Sequence, residues 1–199
     1  MPSNATTVLL CGVGGQGALL AADILARCAM ACGQDVKLSE IHGMAQRGGA
    51  VTTVVRLGEK VSSMVADQGC VDYLVSFETT EALRNISYLR EGGVAIVSDE
   101  SIKPLPVLTG KLAMPKGARK QLAAHQAQVI PAELLAKQAG SVKAVNVVLL
   151  GALSTYLPYP KDVWLRVIEE RVPAKFKDVN ITAFESARAW AERNAAKEA

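Results

Sequence analysis

The sequence predicts an α/β fold, a single domain whose mainly parallel sheet carries helices on both faces, and three observations lead there. Short apolar runs such as Val94-Ala95-Ile96-Val97-Ser98 read as strands covered on both sides. These runs alternate with helical segments along the chain. The first of them, Val8-Leu9-Leu10-Cys11, ends in Gly12-Val13-Gly14-Gly15-Gln16-Gly17 and passes without a gap into an alanine-rich periodic run. That is the form of a Rossmann-like strand–turn–helix unit, whose helix start points backbone N–H groups at an anion. With 199 residues, half of them apolar, one core and one domain spanning 1–199 are expected.

Taken in order, the first helix runs from Ala18 to about Ala31, with Gly33 as its stop. Asp35 to Ile41 reads as a second strand, and the β-branched stretch Ala50 to Leu57 as a third. Val61-Ser62-Ser63-Met64 is expected to pair with that third strand across Gly58-Glu59. Val71 to Ser76 is a strand, a helix from Thr79 or Thr80 to Leu89 follows, and Glu91-Gly92-Gly93 ends it. Ile102 to Gly117 reads as loop with at most a short strand at Val107-Leu108. Beyond it come a helix near 118–125, a strand at 127–130 and a helix at 132–138. Val142 to Leu157 is the most apolar helix, with Asn146 polar in its middle. Val163, Trp164, Val167 and Ile168 mark another helix; Val172 to Phe176 is a linker. The last helix starts near Asn180, with Ile181, Phe184, Ala187 and Ala191 on one stripe.

Composition narrows the function. A net charge of +3 gives no reason to expect nucleic acid or an anionic membrane as partner. No apolar stretch reaches the roughly 20 residues of a membrane span, and no basic region precedes the first apolar strand. A cytoplasmic, membrane-free protein is expected. Cys11, Cys28, Cys32 and Cys70 form no CxxC pair and no metal-ligand spacing, so they read as buried small hydrophobes in a reducing compartment.

Two stretches concentrate the candidate chemistry. Gly12, Gly14, Gly15, Gln16 and Gly17 form the turn, where a phosphate-bearing ligand is the default and strand–helix packing alone the alternative. Glu40 closes the second strand where a nicotinamide enzyme keeps its ribose-binding acid; a solvated strand end or a partner contact fits it as well. His42, Gly43, Met44, Gln46, Arg47, Gly48 and Gly49 belong to a polar, glycine-flanked segment at a strand's carboxyl end. Arg47 offers a forked donor for phosphate or carboxylate, and His42 a proton carrier near neutral pH; a tight subunit contact is the other use of such a loop. Asn146 reads as a core hydrogen-bonding residue or a ligand contact. His125 reads as a surface histidine, and Lys111, Lys116, Arg119 and Lys120 as a solvated basic face or a docking patch. No nucleophile–base set, GxSxG or HExxH is present.

Taken together, these residues resemble a family. Leu10 to Gly17 is similar to the opening of the gamma-type small subunit of 2-oxoacid:ferredoxin oxidoreductases, and Ser39 to Gly49 to that family's second block. Asn146-Val147-Val148-Leu149-Leu150-Gly151-Ala152-Leu153 and Val172-Pro173-Ala174-Lys175-Phe176 fit later blocks, so the resemblance spans nearly the whole chain. Its nearest branch is the small beta subunit of the indolepyruvate enzymes. The resemblance implies a subunit that is not catalytic alone, in a complex that oxidatively decarboxylates a 2-oxoacid. Coenzyme A takes the acyl group and ferredoxin the electrons. Thiamine diphosphate with Mg and the [4Fe–4S] clusters would lie on a large partner subunit. The glycine turn and the 42–49 loop would face the active site, near coenzyme A or the partner's thiamine. In isolation such a chain would expose apolar surface that a homodimer would cover. Two other readings stand beside it: a free-standing NAD(P)- or ATP-binding enzyme, and a scaffold module that uses the fold for contacts only.

Overall fold

The computed structural model describes residues 5–42, 49–103, 105–114 and 116–198. Six strands form one sheet: β1 (Thr6–Val13), β2 (Asp35–His42), β3 (Ala50–Gly58), β4 (Val71–Ser76), β5 (Leu89–Ser98) and β6 (Gln128–Ile130). Their order across the sheet is β2-β3-β1-β4-β5-β6. β1, β4, β5 and β6 are mutually parallel, whereas β3 runs antiparallel to both of its neighbours, so that β2 again points the same way as β1.

Because side chains alternate across a strand, β1 is buried on two sides at once. Val8 and Leu10 join one apolar cluster, Leu9 and Cys11 the other. The larger cluster takes in α1 (Ala18–Ala31), α5 (Ala132–Ala139), α6 (Val145–Leu153), α7 (Lys161–Arg171) and α8 (Lys177–Glu198). The smaller one is closed by Ala82 of α2 (Thr79–Asn85) and Leu122 of α4 (Ala118–Ala124). The expected α/β domain with two covered faces is what forms. Trp164 is fully buried between Tyr159 and Phe184, at ring-centroid distances of 6.0 and 5.8 Å. Gly151 lets α6 lie directly on α8: a Cβ there would come 2.3 Å from the Phe184 carbonyl oxygen.

Four local expectations change. Val61 to Met64 adds no strand; side chains hold that segment instead. The Val61 N–H donates to Asp35 Oδ2 at 2.8 Å, and the Arg56 guanidinium donates to the Ser63 and Val65 carbonyls. The Val61 amide, then Lys37, keep the Asp35 carboxyl below the usual carboxylate range. Glu91-Gly92-Gly93 does not end a helix: α2 stops at Asn85, and β5 already begins at Leu89. The register jumps there, from Val71 opposite Leu89 to Tyr73 opposite Val94, and Gly92 at φ +69° absorbs the bulge. Val107 and Leu108 belong to a helical turn, α3 (Leu105–Leu108), rather than a strand. The apolar helix is shorter than its apolar run, since a 3₁₀ turn at Val142–Ala144 precedes α6.

One consequence places the site. From β1 the chain crosses to α1 on one face; from β4 it crosses to α2 on the opposite face. Neighbouring parallel strands whose connections diverge leave a crevice at their carboxyl ends. Val13 and the turn after it, and Phe77 just beyond β4, line it.

Candidate functional site

The turn from Gly14 to Gly17 stands at that crevice as a thin wall. Gly15 and Gly17 take φ values of +100° and +85°, and Gly17 is the residue from which α1 starts. No side chain caps α1, and its first turn carries no acidic residue. The turn is held from inside by Gln16. Val13 N–H donates to Gln16 Oε1 at 2.6 Å, while Gln16 Nε2 donates to the Phe77 carbonyl at 3.3 Å. Gln16 thereby ties the end of β1 to the end of β4, and its carboxamide is spent on protein groups. Gly12 lies buried behind the wall: a Cβ there would be 2.6 Å from Gln16 Oε1 and 2.8 Å from Phe77 Cβ. On the other flank, the Gly14 N–H donates to the Gly49 carbonyl at 2.9 Å, so the end of the second candidate stretch meets the first.

Two clefts open on either side of this wall. The first, about 480 Å³, is bounded by Gly14, Gly15, Gly17 and Leu19 on one side and by Glu40, His42 and Val51 on the other. Glu40 and His42 reach it together because they are two apart on β2 and share a face. The second, about 590 Å³, is lined by Gln16, Leu20, Phe77, Glu100, Ile102, Glu133, Val142, Lys143, Val145 and Asn146 as well as the turn. Asn146 is 4% exposed and rests against the bare Cα of Gly17, where a Cβ would be 2.9 Å from its Nδ2.

Of the predicted site residues, Gly14, Gly15, Gly17, Glu40 and His42 converge on the first cleft, and Gln16 and Asn146 on the second. Gly43, Met44, Gln46, Arg47 and Gly48 lie outside the described residues. Phe77, Glu100, Glu133 and Lys143 were not legible as site residues. Phe77, Glu100 and Glu133 share a signal after the fact: each follows the end of a strand by one to three residues. His125 is exposed beyond α4, as expected. Lys111, Lys116, Arg119 and Lys120 are exposed too, with Arg119 paired to Asp99; none of them lines either cleft.

The thiols divide in a way the sequence did not show. Cys11 and Cys28 are buried, Cys32 and Cys70 exposed. Among the described residues, no three His, Cys, Asp or Glu side chains gather as a metal-binding group. Burial pushes the Cys11 and Cys28 thiols up to about 12. Alkylation of the folded protein at pH 8 is therefore expected to modify Cys32 and Cys70 alone, and all four thiols only after denaturation. Intact-mass spectrometry would count the adducts; rapid labelling of Cys11 in the folded chain would contradict this packing.

Residues 7–190 match the family described as pyruvate ferredoxin/flavodoxin oxidoreductase. This chain belongs to that family. Within the pyruvate ferredoxin/flavodoxin oxidoreductase family, the indolepyruvate oxidoreductase subunit IorB of Thermococcus kodakarensis is 39% identical over 185 residues, covering 89% of this chain and 92% of that protein. The keto/oxoacid ferredoxin oxidoreductase gamma subunit from Geobacter sulfurreducens superposes with a TM-score of 0.71 at 25% identity, covering 94% of this chain and 99% of the other. A 2-oxoglutarate:ferredoxin oxidoreductase from Magnetococcus marinus, solved with 2-oxoglutarate, coenzyme A and succinyl-CoA, shares the fold at a TM-score of 0.73 and 19% identity. This chain covers 31% of it and is itself 95% covered. No helix among the described residues is long and apolar enough to cross a membrane.

Proposed function

We propose that this chain is the small subunit of an indolepyruvate-type 2-oxoacid:ferredoxin oxidoreductase, inactive alone and completed by a large partner subunit. The observation that carries the reading is the likeness to the indolepyruvate oxidoreductase subunit over nearly the full length of both chains. The geometry supports a binding role. When bound in the complex, thiamine diphosphate with Mg on the large subunit supplies decarboxylation, [4Fe–4S] clusters carry electrons to ferredoxin, and coenzyme A supplies the acyl-accepting thiol. This chain's share is to hold and orient ligands and to keep water out.

The first cleft fits a phosphate of coenzyme A. The uncapped start of α1, the absence of acid from its first turn and the open backbone at Gly15 leave amides facing the ligand. Glu40 and His42 stand across the cleft and take the hydrogen-bonding end of that ligand or the edge of the partner. Exposed apolar residues line both clefts, Leu19 the first and Ile102 and Val142 the second. They form the surface that the large subunit covers.

Anaerobic co-expression with a candidate large subunit tests this. Indolepyruvate- and coenzyme A-dependent reduction of ferredoxin or a viologen dye is expected in the mixture and absent from either subunit alone. Tight NAD(P) binding by this chain with no complex formed would overturn the proposal in favour of a free-standing dehydrogenase.

A further inference from the structure

We propose that the acid-free segment between β5 and α4 is a docking surface for an acidic face of the large subunit, so that charge sets the orientation in which the two chains meet. This rests on the subunit role given above.

From 101 to 132 the chain contains no aspartate or glutamate, yet it carries Lys103, Lys111, Lys116, Arg119 and Lys120. These five cations outnumber the net charge of +3 of the whole chain, so everything outside the segment is net negative. An acidic partner is therefore attracted to one side of the molecule and weakly repelled by the rest, which orients a diffusional encounter. Arg119 is paired with Asp99, whereas none of the four lysines enters an ion pair among the described residues.

The apolar content is out of place in a merely solvated loop. Ile102, Leu108 and Leu112 are 40, 66 and 64% exposed, and no described residue from 101 to 121 is buried. The stretch also exceeds the roughly 12–15 residues beyond which a connection without much structure of its own is uncommon and usually functional. Both of its ends are nevertheless fixed. At the start, the Thr79 N–H donates to the Glu100 carbonyl at 2.8 Å and the Ile102 N–H to Glu78 Oε2 at 3.4 Å. At the end, the Arg119–Asp99 pair and a 3.3 Å hydrogen bond from Gln121 Nε2 to the Lys116 carbonyl hold the chain. Exposed leucines interleaved with lysines on an anchored segment have the composition of a protein interface, with apolar contacts inside a charged rim.

Continuity names the occupant. Ile102 lines the second cleft, so a large subunit laid over that cleft reaches the lysines next. Nucleic acid fits less well, because the segment has no aromatic residue to stack on a base and its one arginine is committed to Asp99. A membrane surface fits less well too: α3 and α4 are only four and seven residues long and offer no extended apolar face.

Anaerobic binding kinetics of the full 199-residue chain against the purified large subunit, at about 50 and about 500 mM NaCl, test this. Lys111→Glu/Lys116→Glu is expected to slow association about tenfold or more at the lower salt, to match the parent at the higher, and to leave dissociation nearly unchanged. Leu108→Ser/Leu112→Ser should do the reverse, speeding dissociation severalfold at both salts. Lys60→Glu/Arg193→Glu makes the same change of net charge at exposed positions elsewhere, and should slow association by no more than about twofold. Equal slowing by the two charge reversals overturns the proposal. So does binding of the parent chain to phosphatidylcholine–phosphatidylglycerol vesicles, or its self-association in sedimentation velocity, that Lys111→Glu/Lys116→Glu abolishes; the segment would then serve a membrane or a second copy. An active complex whose assembly ignores these substitutions sinks this inference alone. Failure of the parent chain to form any complex sinks it together with the subunit role.

Discussion

Gly151→Ala is expected to lower the melting temperature by roughly 6 to 12 °C, the equivalent of about 3 kcal/mol in a chain of this size. A methyl group at that position would be 2.3 Å from the Phe184 carbonyl oxygen and 3.0 Å from Ala187 Cβ, both belonging to α8. Backbone cannot rotate aside as a flexible side chain does, so α6 and α8 must separate. Separation loosens the contacts that bury Phe184 and Trp164. Alanine's better helix propensity, worth about 1 kcal/mol over glycine, offsets only part of this. Urea unfolding would check it: the midpoint should fall with an unchanged slope. A melting temperature within 2 °C or so of the parent would mean that the two helices are not in this contact.

Gly15→Val is expected to do the opposite, leaving the fold and removing function. Gly15 is exposed and nothing lies within 4 Å of where its Cβ would be, so no packing is disturbed. The left-handed φ of +100° costs a valine on the order of 1–2 kcal/mol, which a domain of ordinary stability tolerates. Its branched side chain, however, would stand on the wall between the clefts and displace whatever ligand approaches the turn. Activity of the assembled complex should drop about a hundredfold, as misplacing a bound reactant by an ångström does. Gly12→Ala makes the useful contrast, because its methyl group would overlap Gln16 Oε1 and Phe77 Cβ inside the protein. Stability and activity should fall together in that variant. If Gly15→Val assembles and keeps full activity, the turn does not touch the reacting ligands.

What the sequence disclosed and what it hid follow from how local each cause is. The glycine turn and α1 were readable to the residue, because strand, turn and helix are consecutive and each imposes its own period. β5 was misread at its start because Gly92 and Gly93 look like a stop, whereas here they form a bulge that only the neighbouring β4 can specify. The missing strand at Val61–Met64 has a related origin: the side chain of Asp35, distant in sequence, and that of Arg56, on the strand it was expected to pair with, compete successfully for its backbone. Glu40 and His42 could be seen as candidates, but their joint place opposite Gly15 depends on β3 being inserted between β2 and β1. The second cleft was invisible. Its polar members come from the turn, the end of β5, α5 and the start of α6, and no spacing rule links Gln16, Glu100, Glu133 and Lys143. Asn146 showed its type in the sequence without its partner, which proves to be the bare face of Gly17.

The wall between the clefts is a single strand of backbone, and Gly15 and Gly17 border both sides of it. Thermodynamic linkage therefore applies across it. A ligand that moves the turn toward one cleft alters the room left in the other, and the resulting change in affinity must be equal in both directions. Gln16 sets how stiff this partition is, since its two hydrogen bonds must stretch for the wall to shift. Measuring either ligand's affinity in the presence of the other thus reads out one free energy, whichever cleft is filled first.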